Sequence, residues 1–141
     1  MTAPLVLLVD DSALVTEALG ILLVETGHRV ATAGSVREAV ETARAERPDV
    51  MLLDLTLPDG DGLTVLRTLA AEGIAPRATV ALTGHDDVVT TARCLEAGCR
   101  AVLGKPVPAM TLLRGLREWT APDAPDTPDT PDTPDAGSAR T

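Results

Sequence analysis

"LVLLVDDS", residues 5–12, sets five uninterrupted apolar residues directly against two adjacent aspartates. A run this short and this continuous suits a strand buried on both faces of a parallel sheet, because a half-exposed strand would alternate apolar and polar residues. The acids then fall where the strand must end. The pattern recurs downstream: "VMLL" (50–53) runs into Asp54, "TVAL" (79–82) into Thr83 and Gly84, and "AVL" (101–103) into Gly104 and Lys105. "RVATA" (29–33) is more polar, is followed by Gly34 and Ser35, and reads as an edge strand.

Between these runs the apolar residues take helical spacing. Five buried stripes are expected: Leu14, Ala18, Ile21 and Leu22; Val36, Ala39, Val40 and Ala43; Leu63, Leu66, Leu69 and Ala70; Val88, Ala92 and Leu95; and Leu112, Leu113 and Leu116. "SVRE" (35–38) fits a capping box, with Ser35 as the cap and Glu38 reaching back. Gly27, Gly73 and Gly98 stand where three of the helices should stop. Five strand–helix alternations predict an α/β domain, a doubly wound parallel sheet with right-handed crossovers and helices on both faces. In such sheets ligands sit beyond the carboxyl ends of the strands, where the strand order reverses. Four of the five strand ends therefore deliver a reactive polar group to one crevice.

Composition narrows the function. The chain is 45% hydrophobic but has no Phe, no Tyr and one Trp, so its core must be built from Leu, Val and Ala. A net charge of −9 argues against direct nucleic-acid binding or an anionic membrane surface. Cys94 and Cys99 are too few for a disulfide framework and read as small buried hydrophobes in a reducing compartment. The N-terminus lacks the basic segment of a signal peptide, and no stretch approaches the ~20 apolar residues of a membrane span. A soluble, cytoplasmic protein is expected. Past residue 120 the composition changes to "APDAPDTPDTPDTPDAGSART", with proline at every third position from 122 to 134. Such a repeat blocks helix and sheet pairing and favours an extended chain, so residues 1–120 are expected to form the domain and 121–141 a solvated tail or linker.

The crevice would hold three carboxylates (Asp10, Asp11 and Asp54), the Thr83 hydroxyl and the ammonium of Lys105, the only lysine in a chain with eleven arginines. Carboxylates crowded together repel and lose solvation. A hard divalent cation with oxygen ligands, Mg2+ or Mn2+, relieves both costs. A metal and an ammonium fixed side by side suit an anion with several oxygens, and a phosphoryl group fits.

This constellation closely resembles the receiver domain of two-component response regulators, the CheY-like family with flavodoxin-like strand order 2-1-3-4-5. "LLVDDS" matches the acidic pair, "LLDLTLPDGDG" the phosphoacceptor stretch with Pro58 and Gly62, "ALTG" the hydroxyl after the fourth strand, and "GKP" the Lys-Pro after the fifth. The match spans about residues 4–119. The resemblance implies that Asp54 takes a phosphoryl group from a phosphohistidine on a sensor histidine kinase or a histidine phosphotransfer protein. It implies that Mg2+ is held by Asp11 directly, Asp10 mainly through water, Asp54, and the backbone carbonyl of Thr56. Thr83 and Lys105 would bind phosphoryl oxygens, Lys105–Pro106 would be a cis peptide, and Thr56 and His85 would border the phosphoryl group and modulate its lifetime. The implied role is a signalling phosphoacceptor that assists its own phosphorylation, not an enzyme acting on a separate substrate. The output partner is not readable. A stand-alone receiver, a piece of a longer regulator with an output domain, and a docking-only receiver are the alternatives, and the complete acidic set speaks against the last. A phosphorylation-linked homodimer follows by analogy alone.

Two rival folds fail on particular residues. A haloacid-dehalogenase phosphatase needs an Asp two residues after its nucleophile, where Asp10 has Ser12 and Asp54 has Thr56. A flavodoxin needs a Ser/Thr/Gly-rich phosphate loop after the first strand, where this chain has two acids. Within the resemblance one position departs: most relatives carry a Tyr or Phe three residues before the lysine, and here it is Val102. A β-branched valine is restricted at χ1 and has no ring to swing. A beryllofluoride adduct on Asp54 is therefore expected to give small or differently routed amide NMR shifts over residues 86–119, and large shifts throughout that range would refute this.

Overall fold

The computed structural model describes residues 3–84 and 88–120. His85 and the expected tail, 121–141, lie outside the described residues. In chain order the elements are β1 (Leu5–Val9), α1 (Ala13–Glu25), β2 (Arg29–Ala33), α2 (Val36–Glu46), β3 (Val50–Asp54), β4 (Thr56–Leu57), β5 (Gly60–Asp61), α3 (Leu63–Ala71), β6 (Ala78–Thr83), α4 (Val88–Ala97), β7 (Ala101–Gly104) and α5 (Ala109–Trp119).

Five strands pair in parallel in the order β2-β1-β3-β6-β7. With the short β4–β5 hairpin set aside, this is the expected 2-1-3-4-5 order. The order reverses between β1 and β3, so the ends of these two strands flank the crevice. The two-residue period of the strands sorts the core into two layers. Leu7, Val9, Met51, Leu53 and Ala81 face α2, α3 and α4, where they meet Ala39, Val40, Ala43, Leu63, Leu66, Leu69 and Cys94. Val6, Leu8, Val50, Leu52, Val80 and Leu82 face α1 and α5, where they meet Leu23, Leu112, Leu116 and Trp119. Cys94 and Cys99 are buried free thiols, and burial pushes Cys99 up to about 12, which leaves it protonated and inert. No helix among the described residues is long and apolar enough to cross a membrane.

Two expected stripes are overturned. On α1, Leu14, Ala18 and Ile21 face solvent, and the inward side is Leu19, Leu22 and Leu23. On α4, Val88, Ala92 and Leu95 face outward, while Cys94 is buried. Both helices carry apolar residues on more than one side, so spacing alone selects the wrong face. On α3, Ala70 is exposed and Val65 takes the buried position. β7, expected to be buried on both faces, is an edge strand and only half-buried.

Helix ends follow local chemistry. Ser35 Oγ accepts from Glu38 N (3.1 Å), and Glu38 Oε1 accepts from Gly34 N (2.7 Å), one residue further back than a standard capping box. The chain turns at Gly27 and Gly73 with φ of 92° and 75°, values that favour glycine.

The β4–β5 hairpin, which the strand pattern does not signal, starts two residues after Asp54 and is anchored at both ends. Asp59 accepts from Val36 N (2.7 Å) and Arg37 N (3.1 Å), capping α2 from a distance, and these bonds hold its carboxyl below the usual carboxylate range. Gly62 closes the other end by donating from its N–H to the Leu55 carbonyl (2.9 Å). A Cβ on Gly62 would lie 2.0 Å from the Asp54 carbonyl oxygen. Gly62→Ala is expected to destabilise the domain by about 3 kcal/mol, measured by urea unfolding, since a backbone neighbour cannot yield as a side chain can.

Candidate functional site

Asp10, Asp54 and Lys105 come from three different strand ends and meet. Asp10 follows β1, which is paired on both sides, and its own N–H donates to the Ala33 carbonyl of β2 (3.0 Å), so its backbone is fixed. Its side chain is buried, with Oδ1 accepting from Ser12 N (2.9 Å) and Oδ2 from Lys105 Nζ (2.7 Å). Asp54 ends β3 and is also buried. Its Oδ1 accepts from Thr56 N (3.1 Å), and its Oδ2 lies 3.2 Å from Lys105 Nζ. The Lys105 N–H donates to the Thr83 carbonyl (2.8 Å), and the Lys105–Pro106 peptide is cis. The lone lysine thus spans two carboxylates.

Asp11 is the exposed member. Carboxylate oxygens of Asp10, Asp11 and Asp54 all lie within 4.8 Å of one another. Three carboxylates against one ammonium leave an excess of negative charge, and the donor set is all oxygen with an open side at Asp11. This is the donor chemistry of a hard divalent cation. Thr83 is buried at the end of β6, next to Asp54 through the pairing of Asp54 with Leu82. Thr83 and Thr56 line a cavity of about 370 Å³ together with Leu55, Gly60, Asp61, Thr90 and Arg93. Val102, on β7, is paired with Ala81 and packs half-buried against the α2–α3–α4 layer.

Asp10, Asp11, Asp54, Thr56, Thr83 and Lys105 are therefore gathered at one end of the sheet, Val102 lies farther back along β7, and His85 is outside the described residues. The strand-end rule did not single out Arg93 of α4 and Asp61 of β5, which form an ion pair at the rim of the cavity. They stand 32 residues apart, and no local pattern signals their pairing.

A doubly wound sheet with paired acids, a third strand-end acid, a hydroxyl and a lysine at its carboxyl edge is the arrangement of a receiver domain. The chain belongs to the response regulator receiver domain family, whose model matches residues 6–117. It is 35% identical over 109 residues to the transcriptional regulatory protein AfsQ1 of Streptomyces coelicolor, covering 77% of this chain and 48% of that protein. It is 36% identical over 124 residues to the transcriptional regulatory protein PdtaR of Mycobacterium tuberculosis, covering 82% and 60%. The chain spans about half the length of the curated relatives it matches. Among solved structures it is similar to the receiver domain of sensor histidine kinase PA1611 from Pseudomonas aeruginosa, described with a magnesium ion coordinated in the active site cleft. The TM-score is 0.75 at 30% identity, covering 84% of this chain and 98% of that one. The signal receiver domain of a Vibrio parahaemolyticus LuxO repressor aligns with a TM-score of 0.78 at 25% identity, covering 83% and 89%.

Burial disfavours the Lys105 ammonium, but hydrogen bonds from it to Asp10 and Asp54, and their charge, outweigh that effect and raise its pKa above the ordinary 10.5. A raised pKa means that the stabilisation is fully present below pH 10.5 and is lost as pH rises through the folded-state value. In urea unfolding between pH 9 and 12, wild type is expected to lose more stability than Lys105→Met, and parallel curves would refute the coupling.

Proposed function

We propose that Asp54 is the phosphoacceptor of this receiver domain. The observation that carries the reading is the lysine ammonium shared by Asp10 and Asp54 beside the exposed carboxylate of Asp11. An Asp54 oxygen attacks the phosphorus of a phosphohistidine on a sensor histidine kinase or a histidine phosphotransfer protein. An O–P bond forms, the P–N bond breaks, and its electron pair returns to the imidazole nitrogen. The transition state is loose, with charge on the equatorial oxygens, so positioning and electrostatics supply most of the catalysis. Lys105 already sits 3.2 Å from Asp54 Oδ2 and exchanges part of that contact for a phosphoryl oxygen. A compact ammonium fits between two carboxylates where a broad planar guanidinium would not. Thr83 supplies a hydroxyl from the neighbouring strand end, and the Asp54–Thr56 hydrogen bond orients the nucleophile.

Asp10, Asp11, Asp54 and the Thr56 carbonyl are the residues that would hold Mg2+. When bound, Mg2+ neutralises the carboxylates and polarises the phosphoryl group. Thr56 and, on the family resemblance alone, His85 tune the phosphoryl lifetime. The exposed row Leu14, Ala18 and Ile21 on α1, which begins beside Asp11 and Ser12, supports a kinase or phosphotransfer partner docking next to the site. The protein acts in the cytoplasm, where such partners present their phosphohistidines.

The relatives' greater length supports a second reading, in which this receiver controls an output domain in a longer regulator. Incubation with Mg2+ and phosphoramidate, read by intact mass, is expected to give one acid-stable, base-labile phosphoryl adduct. Asp54→Ala should abolish it, and chelation of the metal should slow it at least about 100-fold. A docking-only receiver would give no adduct.

A further inference from the structure

We propose that Arg93 is a donor-selecting residue, a second cation that draws doubly charged phosphodonors toward Asp54. The inference rests on the phosphoacceptor reading. An incoming donor meets a repulsive field: the chain carries −9 overall, and Asp10, Asp11 and Asp54 crowd the strand ends. Lys105 is already committed to Asp10 at 2.7 Å and Asp54 at 3.2 Å. The cavity that shares Thr83 and Thr56 with the site opens between the β4–β5 hairpin and α4, and of its lining residues Arg93 is the one cation.

Asp61 sets where that cation sits. Its Oδ1 accepts from Leu63 N (2.9 Å) at the start of α3, and its Oδ2 takes the Arg93 guanidinium. Asp61 is thus the fixed member, pinned to the helix terminus, and Arg93 is the long arm resting on it. Both side chains are substantially exposed, at 47% for Arg93 and 39% for Asp61, so the pair contributes little to stability. Its consequence is positional: it parks a guanidinium on the wall of a cavity whose lining residues Leu55, Thr56 and Thr83 adjoin Asp54 in the chain and in the sheet. Charge in a walled cleft raises the local concentration of oppositely charged ligands, and the effect grows with ligand charge and falls with salt.

Acetyl phosphate and phosphoramidate separate this role from a structural one. With acetyl phosphate, a dianion near neutral pH, the bond from phosphorus to the bridging oxygen breaks and acetate leaves with the electron pair. With phosphoramidate, which carries a smaller net charge, the P–N bond breaks and ammonia leaves with the proton already on nitrogen. Adduct formation on the purified full chain is followed by intact mass, in Mg2+ buffer at about 20 mM and about 300 mM added salt. For Arg93→Ala the ratio of the acetyl phosphate rate constant to the phosphoramidate rate constant is expected to fall about five- to tenfold at low salt, with the gap closing at high salt. Arg93→Lys, which retains the charge, should stay within about twofold of wild type, and Asp61→Asn, which keeps the acceptor for Leu63 N, should raise the ratio. An unchanged ratio in Arg93→Ala, a loss of equal size in Arg93→Lys, or a gap that persists at high salt would overturn the inference while leaving Asp54 as phosphoacceptor. No adduct on wild type with either donor would overturn both.

Discussion

Two carboxylates at neighbouring strand ends, both nearly removed from water, share one ammonium. Burying Asp10 and Asp54 close together is costly, since each loses hydration and each raises the other's cost. Lys105 offsets both at once, and it does so from the strand end two places along the sheet from β3. The interaction therefore ties the register of β1, β3 and β7 to a single side chain. A slip of one residue in any of these strands would turn its terminal group to the other face of the sheet. The parallel pairing, with its continuous Val/Leu runs, is what holds that register.

The second constraint is the stretch between Asp54 and α3. Here the backbone must leave the sheet, turn back and present the Thr56 N–H to the Asp54 carboxylate within a few residues. Asp59 fastens the turn to α2, Asp61 fastens its return to α3 and α4, and Gly62 allows the chain to pass over the Asp54 carbonyl. The carboxylates of "PDGDG" thus serve as ties between elements. Asp59 caps a helix that begins elsewhere in the fold and Asp61 the one that follows it, which explains a density of acids beyond what the metal-type cluster needs.

Much of this is legible in the amino-acid sequence. Unbroken apolar runs ending in Asp10, Asp54, Thr83 and Lys105 mark both the strands and the site, because a doubly wound sheet delivers its strand ends to one edge. The inward faces of α1 and α4 are not legible. Leu14, Ile21, Val88 and Leu95 are as apolar as the residues that replace them in the core, and only the packing of the helix on the sheet distinguishes the two sides. In a core of aliphatic residues no bulky ring declares which side is buried. The β4–β5 hairpin is too short to show a period, and the Asp61–Arg93 pair joins segments that only the fold brings together.

Trp119 illustrates a different outcome of that aliphatic core. It is the chain's single aromatic residue, buried at the end of α5 among residues at the amino ends of the strands, while the acidic cluster lies at their carboxyl ends. A five-residue strand separates the two ends by roughly 17 Å. Intrinsic fluorescence thus comes from one chromophore, packed over Gly115 and remote from the acidic cluster. It is a built-in optical gauge of the packing of α5 on the sheet, at the end opposite Asp10, Asp11 and Asp54, so unfolding is followed in a cuvette without adding a label.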